Sequence, residues 1–215
     1  GRWNQFRPVT IQEFMASGDK RIEYWKMKLD LFESMKDAKP NAGHKAIVAI
    51  DQMGKLKGLI TQNIDGLHTK AGIPKNKLME IHGTNLEIKC LSCQEITDWA
   101  PTYEKLKDRE KVPLCLKCGG FLKPNTISFG QNLIPEVLDQ SFAWAKECDL
   151  MLALGSTLVV EPAASIPRTA KSNGAMLAII TLSETPLDSL ADIKIEESTG
   201  EVLSGVLSII KEKEC

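Results

Sequence analysis

The sequence predicts an α/β protein in which a parallel sheet is covered by helices on both faces and is accompanied by a small cysteine-rich lobe. Three observations lead to this prediction. Short apolar segments alternate with longer amphipathic segments, which is the pattern of β-α-β units. Four of the six cysteines form two close pairs. With 215 residues, of which 43% are apolar and 26% charged, the chain is large enough for a substantial core.

The first half of the chain begins with helix and then alternates. Residues 6–39 have a helical, amphipathic pattern, and Asn41 is a suitable N-cap for a helix that continues to Met53. A short strand at 55–60 ends in a polar segment. A short helix comes next and ends near Gly72, and a strand is predicted at 78–81.

The second half continues the alternation after the cysteine-rich segment. We predict these elements in order: helix 137–146, strand 149–154, a helix that follows Thr157 and ends at Ser172, strand 175–181, strand 192–195 and helix 200–214. The predicted domains are residues 1–85 with 123–215, in which 1–40 is a partly helical insertion, and residues 86–122 as the cysteine module.

Charge and hydropathy exclude several classes of protein. The 27 basic and 28 acidic residues leave a net charge of −1, so no overall positive field favours nucleic acid or anionic membranes. No apolar run reaches the ~18 residues of a membrane span. The first residues lack the apolar segment of a signal peptide, so we expect a cytoplasmic protein, with the nucleoid or nucleus as alternatives. The absence of an initiating Met suggests a fragment or processed form.

The four paired cysteines predict a zinc site. Cys90 and Cys93 form one C-x2-C pair, Cys115 and Cys118 form another, and 21 residues separate the pairs. Two such turns bring four thiolates to one tetrahedral point, as Zn²⁺ requires. Two disulfides or four unrelated thiols are the alternatives. Because all four positions are protein ligands, we expect a structural metal, with backbone N–H groups near Gly119-Gly120 facing the sulfurs.

Polar side chains come directly after three of the predicted strands. Gln62, Asn63 and Asp65 come after the first, Gly155-Ser156-Thr157 after a second, and Thr181 after a third. In a parallel sheet these ends share one edge, where ligands bind. Hydroxyl and N–H groups there suit phosphate or ribose oxygens, and Asn63 with Asp65 suits a carboxamide. A simple β-to-α turn is the simpler explanation of Gly155-Ser156-Thr157, and an Asx turn explains Asn63 and Asp65 as well as ligand binding does.

His82 is the best candidate for a catalytic base among the three histidines. An imidazole exchanges a proton near neutral pH, and Gly83 leaves room beside it for a substrate. Its strand end is expected at the same edge as Asn63 and Asp65. For His44 and His68 a structural role is the simpler interpretation.

These residues belong to motifs in which the sequence resembles the sirtuin family. The motifs occur in the family's order over almost the whole chain; they are Thr61-Gln-Asn-Ile-Asp-Gly-Leu-His68, Ile81-His-Gly83, the four cysteines, Lys123-Pro-Asn-Thr-Ile-Ser-Phe-Gly130, Leu154-Gly-Ser-Thr-Leu-Val-Val160 with Pro162-Ala163, and Thr185-Pro-Leu-Asp188. The resemblance implies an NAD-dependent protein-lysine deacylase with a Rossmann-type domain and a zinc-ribbon lobe. Its products would be nicotinamide, free lysine and O-acyl-ADP-ribose.

The resemblance also implies roles for individual residues. His82 would be the general base that deprotonates a ribose hydroxyl, Ile127 and Phe129 would line the acyl-lysine channel, and zinc would perform no chemistry. The backbone of Ile127 would pair with the substrate amide. The expected NAD-binding residues are Gln62, Asn63, Asp65, Gly155, Ser156, Thr157, Thr181 and Thr199.

The sequence departs from the family pattern in three places. The family's Gly-Ala-Gly-x-Ser loop and the Asp-Phe-Arg after it do not occur; residues 1–8 resemble the family segment on the C-terminal side of that Arg, so we expect the loop to precede Gly1. Thr181 stands where the family usually has Asn. Relatives that remove succinyl or malonyl groups carry a Tyr-x-x-Arg pair, whereas Tyr24 has no Arg at that spacing. We therefore expect uncharged acyl groups, although Lys26 or Lys28 could replace the cation.

Other functions remain as alternatives. ADP-ribosyl transfer or NAD hydrolysis would use the same fold, and a chain without the cofactor loop would be an inactive binding module. A nucleic-acid-binding zinc ribbon is disfavoured, because residues 86–123 carry seven basic and six acidic side chains, a net charge of only +1. The expected partners are acyl-lysine proteins, with neither nucleic acid nor membrane, and the chain is expected to be a monomer.

Overall fold

The computed structural model describes residues 8–106 and 110–214. The helices of this part are α1 (Ile11–Ala16), α2 (Gly18–Met35), α3 (Ala42–Gln52), α4 (Leu67–Ala71), α5 (Trp99–Leu106), α6 (Pro135–Glu147), α7 (Ser165–Ser172) and α8 (Thr199–Glu214). The strands are β1 (Leu59–Thr61), β2 (Leu78–Glu80), β3 (Gly83–Cys90), β4 (Ile96–Asp98), β5 (Leu122–Thr126), β6 (Leu150–Leu154), β7 (Met176–Ile180) and β8 (Ile193–Ile195). Single 3-10 turns occur at Lys75–Lys77 and Asp188–Leu190.

The chain divides into two compact units. The first consists of residues 1–38, 63–66 and 82–133, and the second of residues 39–62, 67–81 and 134–215. The N-terminal helices are thus grouped with the cysteine module and not with the larger α/β part. The predicted boundaries at residues 85/86 and 122/123 stay a prediction, since compactness does not show which segment folds by itself.

The first unit contains an antiparallel sheet with the order β4-β3-β5. Helix α2 buries Tyr24, Trp25 and Leu29 on one face, at the spacing of an amphipathic helix. The Trp25 ring contacts Trp99 edge to face, with the ring centres 5.9 Å apart. The Trp99 ring also stacks on Phe32 at 4.2 Å. These large aromatic side chains supply much of the apolar core of this unit.

The second unit contains only parallel strand pairs among its described residues. β1 pairs with β2, and a separate sheet has the order β6-β7-β8. Residues 177–180 of β7 are all buried, as expected for a central parallel strand. The prediction of a parallel α/β fold is therefore confirmed. The expected single sheet is present as a two-stranded and a three-stranded sheet, because no described strand joins β1 or β2 to β6, β7 or β8.

Most predicted elements occur close to their expected positions. Asn41 caps α3, since its side-chain oxygen accepts a hydrogen bond from the His44 N–H at 3.1 Å. One helix begins later than predicted: α7 begins at Ser165, several residues after Thr157. Leu158 has a left-handed backbone (φ 52°), and Pro162 restricts the residue before it, so the helix cannot begin there. Of the helices formed by the described residues, none has the length and hydropathy of a membrane span.

Candidate metal centre and cofactor-binding edge

The metal centre of the first unit is formed by two similar turns. Cys90 ends β3, and its carbonyl accepts a hydrogen bond from the Gln94 N–H at 3.1 Å. In the second turn the Cys115 carbonyl accepts from the Gly119 N–H at 2.8 Å. These turns bring the sulfur atoms of all four cysteines within 4.8 Å of one another. The predicted ligands Cys90, Cys93, Cys115 and Cys118 are therefore brought together by the fold.

The sulfur positions fit a zinc ion. Cys90 Sγ lies 3.6 Å from Cys118 Sγ, and Cys93 Sγ lies 3.8 Å from Cys115 Sγ. A tetrahedron with Zn–S bonds of about 2.3 Å has S···S edges of about 3.8 Å. A disulfide would need about 2.05 Å, so the disulfide alternative does not fit. Four thiolates leave no open position, which identifies the site as structural and not catalytic.

The backbone around the sulfurs favours thiolates, as the sequence predicts. The Cys93 N–H donates to Cys90 Sγ at 3.5 Å, and the Gly120 N–H donates to Cys118 Sγ at 3.4 Å. Burial raises the pKa of Cys90, but hydrogen bonds from the Cys93 and Ser92 backbone and from the neighbouring thiols outweigh it and lower the pKa to about 6. At Cys93 the backbone bond from Glu95 lowers the pKa, but burial and the other three thiols raise it to about 12. Gly120 is required here because a Cβ would lie 2.4 Å from Ser92 Oγ and 3.0 Å from Cys90 Sγ.

His82 is half-buried and lies directly before β3 in the first unit. Its carbonyl accepts a hydrogen bond from the Ile127 N–H at 2.8 Å. Gly83 has φ +72°, and a Cβ there would lie 2.2 Å from the Asn125 carbonyl oxygen, so this close strand pairing requires glycine. The structure thus brings His82 next to Ile127, one of the predicted acyl-lysine contacts. Phe129, the other, has 59% of its surface exposed.

The polar loop after β1 lies in the same unit as His82. Asn63 is exposed and Asp65 is half-buried. Between them, the Ile64 carbonyl accepts a hydrogen bond from the Asn85 N–H of β3 at 2.8 Å. This bond holds the loop beside the strand that begins directly after His82. The expectation that these side chains share one region with His82 therefore agrees with the local hydrogen bonding.

The other predicted NAD-binding residues lie in the second unit. Gln62 Nε2 donates to Ser156 Oγ at 3.4 Å, which joins the ends of β1 and β6. The Gly155 N–H donates to the Ile180 carbonyl at 2.8 Å, and the Thr199 hydroxyl donates to the same carbonyl at 3.4 Å. Thr181 is buried after β7, while Thr157 is exposed. Four of the six predicted residues of this unit are thus linked by hydrogen bonds at the carboxyl ends of parallel strands, and Thr181 directly follows the shared acceptor Ile180.

This set of donors fits a dinucleotide. Gly155 has φ +58°, and a Cβ there would lie no closer than 3.8 Å to Thr199 Oγ1, so the surface above it is open. Neutral hydroxyl and amide groups around an open glycine suit ribose and phosphate oxygens. The helix N-terminus expected directly after Thr157 does not contribute, because α7 begins only at Ser165. We refer to Gln62, Gly155, Ser156, Thr157, Thr181 and Thr199 as the cofactor edge.

Sequence analysis missed a group of buried polar side chains in the first unit. Lys28 on α2 has 6% of its surface exposed and Lys123 on β5 has 2%. Tyr24, Thr126 and Ser128 are buried as well. The one signal in the sequence was that Lys123 begins a segment shared with the sirtuin family. Lys26, in contrast, forms a surface ion pair with Glu110 at 2.8 Å.

An α/β unit with polar glycine-containing loops at the carboxyl edge of its strands, together with a four-cysteine centre, defines a nucleotide-cofactor-binding protein with a structural zinc site. Comparison with known proteins gives the family. The Sir2 family model matches residues 1–162. This chain belongs to the Sir2 family, as the sirtuin-like motifs predict.

The relatives match nearly the whole chain. An NAD-dependent protein deacetylase of Thermodesulfovibrio yellowstonii is 41% identical over 98% of this chain and 82% of its own length. An NAD-dependent protein deacylase of Archaeoglobus fulgidus is 36% identical over the same shares. Among solved structures, a mutant Sir2 homologue in complex with ADP-ribose has a TM-score of 0.88 at 31% identity, covering 99% of this chain and 83% of that one. Sir2Tm bound to a propionylated peptide has a TM-score of 0.86 at 32% identity, covering 93% and 82%.

Proposed function

We propose that this chain is an NAD-dependent protein-lysine deacylase that produces nicotinamide, free lysine and O-acyl-ADP-ribose. The observation that carries the proposal is the hydrogen bond between the Ile127 N–H and the His82 carbonyl. This bond joins the proposed base to the proposed acyl-lysine-binding segment within one compact unit. The names of the relatives, deacetylases and deacylases that depend on NAD, support the same reaction.

NAD binding is assigned to the cofactor edge and to the loop after β1. The hydroxyls of Ser156, Thr157, Thr181 and Thr199 are suited to ribose and phosphate oxygens. Asn63 and Asp65 offer an amide and a carboxylate to the nicotinamide carboxamide and ribose. When bound, NAD supplies an electrophilic anomeric carbon with nicotinamide as its leaving group.

His82 is proposed as the general base that accepts a proton from a ribose hydroxyl at an imidazole nitrogen. The hydrogen bond from the Ile127 N–H fixes the His82 backbone directly before β3, which limits the positions that the imidazole ring can take. General base catalysis of this kind contributes about 10²–10⁴ in rate. The zinc centre takes no part in the chemistry, since all four of its positions are cysteines.

The proposed substrates are proteins or peptides with an acylated lysine, and the acyl group is proposed to be uncharged. Solved relatives bind acetylated and propionylated peptides. Of the two lysines near Tyr24 in sequence, Lys26 is paired with Glu110, and Lys28 donates to the Thr126 hydroxyl at 3.3 Å. Both lysines therefore already have partners within this chain, and neither is assigned to the carboxylate of an acidic acyl group. We further propose that the chain acts as a monomer in the cytoplasm, without nucleic acid or membrane.

The proposal is tested by incubating the zinc-loaded protein with NAD and an acetyl-lysine peptide and measuring the peptide mass over time. Loss of the acetyl group with NAD, and none without it, is the expected result. A succinyl-lysine peptide of the same sequence is the matched substrate and should react at least about tenfold more slowly. An unchanged acetyl peptide, from protein with full zinc content and a cooperative melting transition, would refute deacylation by this chain.

A further inference from the structure

Two buried lysines of the first unit lie at the same short segment of β5. Lys123 Nζ donates to the Pro124 carbonyl at 3.0 Å and to the Thr126 carbonyl. Lys28 Nζ, on helix α2, donates to the Thr126 hydroxyl at 3.3 Å. Both donors thus converge on Thr126, the last residue of β5, one position before Ile127.

The peptide unit between Thr126 and Ile127 is held from both ends. Its carbonyl accepts from Lys123, and its N–H donates to the His82 carbonyl at 2.8 Å. A donor at the carbonyl of a peptide polarises the N–H of the same unit and strengthens the bond that this N–H makes. Lys123 therefore acts on the bond that joins β5 to His82, although its side chain does not contact His82.

The stability of the fold does not explain why these positions carry lysine. Within residues 8–106 and 110–214, neither ammonium group forms an ion pair with a carboxylate. Lys28 Nζ lies 5.4 Å from the centre of the Tyr24 ring, but neither amine has an opposite charge beside it in the described part of the chain. A buried charge without an opposite charge is costly even when it is hydrogen-bonded, and an apolar side chain of similar volume is usually at least as stable. Burial, together with the nearby Lys28 and Lys89, lowers the pKa of Lys123 to about 7. Burial also lowers the pKa of Lys28 to about 8.

We propose that Lys123 is a positioning residue for deacylation: it holds the Thr126–Ile127 peptide unit so that the acyl-lysine-binding segment keeps a fixed position relative to His82. Lys28 supports the same segment through the Thr126 hydroxyl. This inference rests on the proposed function. We call the hydrogen bonds from Lys123 to the Pro124 and Thr126 carbonyls the clamp. A displacement of about 1 Å in a substrate-binding segment is enough to reduce turnover. Loss of the clamp is therefore expected to weaken productive binding of the peptide substrate.

The test compares three variants by steady-state kinetics with an acetyl-lysine peptide and NAD. Lys123→Met keeps the length but removes the donors, and is expected to raise KM for the peptide about tenfold while KM for NAD stays within about twofold. Lys123→Arg keeps charge and donors and should restore KM to within about threefold of the unchanged protein. Lys26→Met, on the same helix as Lys28 but on the surface, is the matched control and should leave all constants unchanged.

A second readout separates positioning from a loss of folded protein. Hydrogen exchange of the Ile127 amide should be faster in Lys123→Met, while the melting temperature is equal or higher because the buried amine is gone. A purely structural role would lower the melting temperature and the apparent kcat and leave both KM values unchanged. That pattern, or a folded Lys123→Met with unchanged peptide KM and Ile127 exchange, would overturn the proposal.

Lys123→Gln covers the case in which the Met variant does not fold. It keeps one N–H donor without charge, and we expect a peptide KM about threefold above that of the unchanged protein. A folded Gln variant with unchanged peptide KM and unchanged Ile127 exchange would also reject the clamp. If the unchanged protein itself does not deacylate the peptide, the proposed function fails, and this inference fails with it.

Discussion

The metal centre and the cofactor edge differ in how their residues are brought together. Each pair of zinc ligands lies in one tight turn, and the turns alone place two sulfurs. The cofactor edge takes Gln62, Ser156, Thr181 and Thr199 from four distant segments, so its geometry depends on the order and register of parallel strands. All four coordination positions of the centre are taken by cysteines, so no ligand can enter. At the cofactor edge, Gly155 and Thr157 are exposed and leave surface for a ligand. One site serves stability and the other binding, and substitutions should separate the two effects.

The largest expected effect is the loss of a zinc ligand. Cys118→Ser should release the metal and destabilise the first unit, because metal binding contributes directly to the free energy of folding. We expect the melting transition of this unit to fall by about 10 °C or more, with zinc measured by mass spectrometry. Cys148→Ser is the matched control, since Cys148 is half-buried outside the centre and its thiol donates to the Ala145 carbonyl at 3.4 Å. Full zinc content in Cys118→Ser would contradict the four-cysteine assignment.

The second-largest expected effect is a loss of catalytic activity that leaves the stability of the fold unchanged. His82→Ala should lower deacylation by about 10²–10⁴, because it removes the proposed base. Its zinc content and melting temperature should remain those of the unchanged protein, since the His82 backbone contact with Ile127 needs no side chain. Single-turnover measurements of peptide deacylation would show the loss, and turnover within about threefold of the unchanged protein would reject His82 as the base.

Buried amines make a smaller, pH-dependent contribution to the stability of the first unit. The pKa of Lys123 is about 7 in the folded chain, against the ordinary lysine value of 10.5. Between these values the unfolded chain binds more protons, so the free energy of unfolding rises with pH. From pH 7 to pH 9 the rise from this group should be about 2 kcal/mol. Urea titrations should show a rise that is smaller by about 2 kcal/mol in Lys123→Met, where Lys28 with its pKa of about 8 still contributes. An equal rise in the two proteins would contradict the lowered pKa of Lys123.

The smallest effect is expected at the cofactor edge. Ser156→Ala removes an acceptor for Gln62 and the Leu158 N–H, and a neutral hydrogen bond contributes about 1 kcal/mol. KM for NAD should rise about fivefold with little change in melting temperature. Ser204→Ala, on the exposed face of α8, is the matched control. A large loss of stability in Ser156→Ala would show that the cofactor edge contributes to folding. It would then contradict the assignment of stability to the metal centre and of binding to the cofactor edge.

The same contrast explains how much the sequence could predict. The zinc ligands follow from spacing alone, and the capping of α3 by Asn41 follows from local hydrogen bonding. Polar residues after strands are visible in sequence, but their meeting depends on topology, so their roles came from the family resemblance. The buried state of Lys28 and Lys123 was not predictable, because lysine is almost always exposed and its burial here depends on packing between α2 and β5. The start of α7 was predicted too early, because the left-handed backbone of Leu158 has no signal in the sequence.

The central claim is tested most directly by nicotinamide release from NAD, measured on the zinc-loaded protein with and without an acetyl-lysine peptide. We expect release that requires the peptide, with one nicotinamide formed for each lysine freed. Equal release without the peptide would contradict the claim and indicate NAD hydrolysis or ADP-ribosyl transfer. No release under either condition, from folded protein with full zinc content, would contradict deacylase activity of this chain.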